Sequence, residues 1–125
     1  MKGLVLDAGA LIAIERNDRK VSEGLAILHQ RDLPIVIPAG ALAQVWRDGR
    51  VQARLARFLS ASETPIIALD EVAARRAGEL CGLRRTSDVV DASVVLCAIE
   101  RGYAVMTSDP DDLARLDPKL ELIAI

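Results

Sequence analysis

Along the chain, short runs of consecutive apolar residues alternate with longer stretches in which apolar positions recur every three or four residues. The runs fall at Gly3 to Leu6, Pro34 to Ile37, Pro65 to Leu69, Ala104 to Met106 and Leu120 to Ile123. A run without polar alternation is what a strand covered on both faces produces, and helical periodicity between such runs is the rhythm of βαβ units. The pattern predicts an α/β fold: a three-layer sandwich whose central parallel sheet of about five short strands is flanked by helices, in a single domain over residues 1–125. The connection from about Ala39 to Ser60 is longer than one helix needs and predicts two, broken near Asp48-Gly49.

Composition narrows the function. Hydrophobic residues make up 51% of the 125 and charged residues 27%, which excludes a disordered tail. The apolar runs stop well short of the ~18 residues a membrane-spanning helix requires, and Asp7 interrupts the first of them, so neither a membrane protein nor a signal peptide is expected. Cys81 and Cys97 are too few for a disulfide framework or a zinc site; both are expected to be small core residues in a reducing, cytoplasmic setting. A net charge of −2 and a pI near 5.4 exclude a surface that is basic throughout. With Trp46, Phe58 and Tyr103 the only aromatics, a base-stacking platform is excluded too.

In an open parallel sheet, ligands bind where the strand carboxyl ends gather. Asp7 follows the first strand in "LVLDAGALIA", and Asp109 follows the fourth in "AVMTSDPDDL", so central strands would bring both to one crevice. Asp91, in "TSDVVDASVVLCAIERG", leads by helical spacing into Val94, Val95, Ala98 and Ile99, which places it on or beside a buried face. Each acid has a structural reading as well: Asp7 as the cap of a helix starting near Ala8, and Asp88 with Asp91, or Ser108 with Asp111, at capping-box spacing. Capping does not explain why acids gather at two strand ends and on the inner face of a third element. Several acids with no interleaved cation repel one another, and a hard divalent ion such as Mg²⁺, or Mn²⁺ in its place, relieves that repulsion with oxygen ligands.

These three stretches, "LVLDAGALIA", "DVVDASVVLCA" and "AVMTSDPDDL", resemble in order and spacing the PIN-domain family, and most closely its VapC-type toxins of toxin–antitoxin pairs. The resemblance implies a metal-dependent endoribonuclease. It implies Asp7, Asp91 and Asp109 as catalytic and metal-binding acids, Thr107 as their accompanying hydroxyl, and Asp88 as an accessory ligand. It also implies an RNA substrate, a small cognate antitoxin that covers the acids, and a homodimer. One position departs from the pattern: the glutamate usual on the helix after the second strand corresponds to Gln44 in "IPAGALAQVWRDG". An amide supplies no charge, which weakens the case for a second ion held about 4 Å from the first. Asp48 and Glu15 are the acids that could compensate.

Arg50, Arg54 and Arg57 share a face if helix runs through them, and Arg84 and Arg85 lie just ahead of Asp88; both sets are candidate RNA phosphate contacts. Metal-activated water attacking a phosphodiester leaves a 5′-phosphate and a 3′-hydroxyl. Two other readings compete: a PIN-like domain that binds RNA or protein but cuts poorly because of Gln44, and a receiver-type phosphoacceptor domain using Asp70. The second lacks paired acids after the first strand and leaves Asp91 unexplained. His29 is read as a helix-end residue, and Trp46 as packing or interface.

Overall fold

The computed structural model describes residues 1–61 and 63–125. Five strands, β1 (Leu4–Leu6), β2 (Ile35–Pro38), β3 (Ile66–Ile67), β4 (Ala104–Thr107) and β5 (Leu122–Ala124), form one sheet in the order β3-β2-β1-β4-β5. Every neighbouring pair is parallel, with Leu4 opposite Ile35 on one side and Ala104 on the other. Among the described residues, seven helices connect them: α1 (Ala8–Glu15), α2 (Arg19–Gln30), α3 (Ala39–Val45), α4 (Ala53–Ala61), α5 (Glu71–Arg84), α6 (Val89–Arg101) and α7 (Pro110–Leu116).

The expected α/β sandwich is present, and its centre is the part written most plainly in the sequence. β1 and β4 are adjacent and wholly buried, so their apolar runs are covered on both faces. Val94, Val95 and Ala98 of α6 join Leu4, Val5 and Leu6 in the core. The edges depart from the expectation. β3 keeps only two residues of the Pro65 to Leu69 run, because Pro65 offers no N–H to a ladder and Ile66, at the sheet margin, is 42% exposed. β5 begins at Leu122, not Leu120, because the Leu120 N–H is taken by the Asp117 carbonyl in the preceding turn.

The Ala39 to Ser60 connection does hold two helices, and the break runs from Trp46 to Gln52. Gln52 organises it: its Oε1 accepts from the Arg47 and Asp48 N–H groups, and its Nε2 donates to the Val45 carbonyl. No helix among the described residues is long and apolar enough to cross a membrane.

Candidate active site

Asp7 stands where β1 ends and α1 begins, and it belongs to both. Its backbone N–H donates to the Met106 carbonyl of β4, and its Oδ1 accepts from the Ala8 N–H at 2.7 Å as the N-cap of α1. Its second oxygen accepts from the Thr107 hydroxyl at 3.0 Å, and the same hydroxyl accepts from the Asp109 N–H. Thr107, wholly buried at the end of β4, therefore fixes one carboxylate and the backbone that presents another. The capping reading of Asp7 is realised, and the same side chain is also held by Thr107.

Gly9 makes the convergence possible. A Cβ there would sit 2.9 Å from the Ser108 backbone nitrogen and closer still to the Ser108 side chain, so only glycine lets the β4–α7 turn approach α1 this closely. That turn carries Asp109 towards Asp7.

The other wall is formed by α6 and α7. Asp88 caps α6 by accepting from the Asp91 N–H at 3.0 Å, the N-cap to N3 geometry expected from their spacing. The Ser108 and Asp111 pairing does not form: α7 is capped at Asp109, which makes no side-chain hydrogen bond to the helix. Asp91 is half-buried on the inner side of α6. Burial, then the charges of Asp88, Asp7 and Asp112, push its carboxyl up to about 7. Burial likewise raises Asp7, the Ala8 and Thr107 hydrogen bonds oppose this, and Asp109 and Asp88 reinforce it. Asp88, Asp7 and Asp112 thus act electrostatically on Asp91, and Asp109 and Asp88 on Asp7; of these five acids Asp88, Asp91 and Asp112 line a common crevice, and Asp7 and Asp109 lie off its lining.

Asp112 and Arg115 line this crevice with Asp88, Asp91, Arg84 and Arg85, in a space of about 220 Å³. Sequence reasoning missed both of the α7 residues. The available signal was the i, i+3 spacing from Asp109 to Asp112, which puts the two acids on neighbouring positions of one short helix.

The remaining candidates lie elsewhere. Gln44 is exposed on α3 and does not line the crevice. Asp48 lies in the α3–α4 loop, where it accepts from the Arg50 N–H and pairs with the Arg50 guanidinium at 3.4 Å. Glu15 ends α1 and accepts from the Leu55 N–H at 2.8 Å, capping α4 from across the fold. The arginine stripe is interrupted: Arg50 is in the loop, while Arg54 and Arg57 are exposed on α4, with Arg54 donating to the Glu15 carbonyl. Asp70 caps α5 by accepting from the Ala73 N–H. His29 is in the last turn of α2, and both cysteines are free and buried, as expected.

Among the described residues, no three His, Cys, Asp or Glu side chains stand close enough to form a ready-made metal cage. The donors present are carboxylate oxygens, and burial together with the neighbouring acids raises Asp91. That fits a hard divalent ion held by one or two carboxylates and completed by water and a substrate phosphate.

The PIN domain family model matches residues 4–119, from the first residue of β1 to the turn before β5. The chain belongs to the PIN domain family. PIN domains are generally nucleases. The same fold recurs in three solved structures. VapBC2 from Rickettsia felis, bound to a DNA fragment from its promoter, contains a chain 20% identical with a TM-score of 0.74, the match covering 98% of both chains. FitAB bound to the IR36 DNA fragment is 16% identical with a TM-score of 0.67, over 97% of this chain and 94% of that one. FitAcB from Neisseria gonorrhoeae is 17% identical with a TM-score of 0.67, over 96% of each. No curated protein sequence matches the chain.

Proposed function

We propose that this PIN domain is a Mg²⁺-dependent endoribonuclease, the toxin of a toxin–antitoxin pair. The observation that carries the reading is the gathering of Asp88, Asp91 and Asp112 in one crevice bordered by arginines, where burial and then the neighbouring acids push the Asp91 carboxyl up to about 7. A structural acid is normally paired or hydrogen-bonded so that its pKa falls; this one is placed so that it rises, as at sites where a missing cation or substrate completes the charge balance.

In this reading Asp7 and Asp91 hold the ion, with Asp88 accessory and Asp112 added by the geometry. Mn²⁺ substitutes for Mg²⁺. The chemistry such an ion supplies is a lowered pKa for water and stabilisation of charge on the phosphate. The protein's contribution is orientation. Thr107 keeps the second oxygen of Asp7 in one direction through its hydroxyl, and fixes Asp109 through the Asp109 N–H. The Asp109 side chain is unused by the helix it caps, and in this reading it orients water or accepts a proton. Arg84 and Arg85 border the same crevice and contact the RNA backbone; Arg50, Arg54 and Arg57 lie on another surface and contribute less.

Asp48 and Glu15 are engaged elsewhere, by Arg50 and by the Leu55 N–H, and in this reading Asp7, Asp91, Asp88 and Asp112 supply charge enough without an acid at Gln44. That favours a working nuclease over a binding-only PIN domain. The partners follow from the toxin reading: a small antitoxin that presents positive charge to the acids, and a second copy of the chain in a dimer. The protein is cytoplasmic in this account.

Cleavage of total cellular RNA by the purified chain tests the function. Cuts in Mg²⁺ or Mn²⁺ that stop with EDTA, disappear in Asp7→Asn/Asp91→Asn and leave 5′-phosphates are expected. Folded protein that cuts in neither metal, or products ending in 2′,3′-cyclic phosphates, would overturn it.

A further inference from the structure

The acid crevice has a second, oppositely charged wall that the sequence motifs do not describe. Arg84 and Arg85 come from the end of α5, and Arg115 comes from the last turn of α7. All three line the space that holds Asp88, Asp91 and Asp112. Among the described residues, none of the three has a carboxylate oxygen within 4.0 Å; the ion pairs present join Arg19 to Glu23, Arg50 to Asp48, Arg75 to Glu71 and Arg76 to Glu100. Three guanidiniums therefore share a crevice with three carboxylates without neutralising them.

The framework keeps them apart. Arg85 is the C-cap of α5 in the left-handed region, at φ 58, where glycine is the usual occupant. The Thr86 N–H returns to the Cys81 carbonyl, and the Thr86 hydroxyl accepts from the Asp88 N–H. This short turn fixes Arg84 and Arg85 on one side and Asp88 on the other. The helix dipole accounts for one positive charge near the end of α5 and one near the end of α7; it does not account for three cations converging on one space. At about 220 Å³ the crevice is smaller than an ordinary small-molecule site, which suits a phosphate with its ion and water better than a buried base.

We infer that Arg115 acts with Arg84 and Arg85 as a phosphate grip: the three hold a backbone phosphate of the RNA next to the one being cut, while the facing acids hold the ion. This rests on the ribonuclease reading and adds to it a substrate-binding residue on α7 and a direction for the strand, across the crevice from the α6 acids to the α5 and α7 ends. Arg54 and Arg57, on a separate helix, lie off this path.

The test is fluorescence anisotropy with a mixed-sequence single-stranded RNA and the full-length chain in EDTA, alongside kcat and KM in Mg²⁺. Arg115→Ala is expected to raise Kd and KM about tenfold, as removal of a charge-assisted hydrogen bond does, with kcat nearly unchanged. The slope of log binding against log salt should fall by about 0.7 for each phosphate that is no longer neutralised, and Arg115→Lys should restore the slope. Arg19→Ala, at an exposed position of α2, should change neither. Because Arg115 is exposed, these variants should fold, and Arg85→Gly, which suits the left-handed backbone, provides a second folded variant that should weaken binding. Wild-type protein that cuts RNA while Arg115→Ala and Arg85→Gly bind with unaltered Kd and salt slope overturns the grip alone. Wild-type protein that neither binds nor cuts RNA overturns the ribonuclease reading and the grip with it.

Discussion

Asp7 and Asp91 lie within electrostatic reach of each other, and burial raises the carboxyl of each, yet the two are held in different ways. Asp7 is buried, accepts hydrogen bonds from the Ala8 N–H and the Thr107 hydroxyl, and links β1, β4 and α1. Asp91 is half-buried, and burial, then the charges of neighbouring acids, push its carboxyl up to about 7. The first acid is part of the framework as well as the site; the second is a strain the framework tolerates. A buried acid that also caps a helix recovers part of its desolvation cost through hydrogen bonds, whereas a further acid among other acids recovers less.

The largest expected effect breaks both acids alike. Asp7→Asn and Asp91→Asn should each lower RNA cleavage at least about a hundredfold, the scale seen when a preorganised charged group is removed from a site, measured as kcat/KM in saturating Mg²⁺. A variant of either that kept wild-type rates would remove it from the site.

Gly9→Ala sharpens the comparison next. The new Cβ meets the Ser108 backbone, so the β4–α7 turn must move; a cost of about 1–3 kcal/mol is expected, with cleavage reduced about tenfold or more because Asp109 moves away from Asp7. Chemical denaturation and single-turnover cleavage read the two together.

Stability separates the acids by size. Asp91 has a folded-state pKa raised above its unfolded value, so its stabilising contribution is full below that unfolded value, about 4, and is lost as pH rises through about 7. Metal-free wild type should lose stability between pH 5 and pH 8 relative to Asp91→Asn. At pH 8 the variant should melt about 2–4 °C higher, allowing for solvent screening of a half-exposed group. Asp7→Asn should gain less, because the amide must replace two hydrogen bonds that the carboxylate accepts. The smallest effect belongs to Glu15→Ala, which removes the cap of α4 and should cost about 0.5–2 kcal/mol while lowering cleavage far less than Asp7→Asn or Asp91→Asn.

The central strands, the helix acid and the strand-end acids were legible because each rests on local pattern: apolar runs for β1 and β4, and helical spacing for Asp91. Glu15 was not, because its partner, Leu55, is forty residues away and no local signal marks a cap made across the fold. Asp48 reads as a helix acid one turn beyond Gln44, but the Gln52 hydrogen bonds end α3 at Val45. Asp112 and Arg115 were overlooked because a seven-residue helix offers too few turns for periodicity to sort its faces. The two edge strands were misjudged in length because an apolar run marks coverage, and at a sheet margin coverage depends on which neighbours the chain happens to meet.

The most direct measurement is the melting temperature of wild type and Asp91→Asn at pH 8, with Mg²⁺ or Mn²⁺ titrated into each. The account predicts that either ion raises the wild-type melting temperature in a saturable way and reverses the order of the two proteins, while leaving Asp91→Asn nearly unchanged. Equal shifts in both, or none in wild type, would contradict the claim that these acids are held apart for a cation.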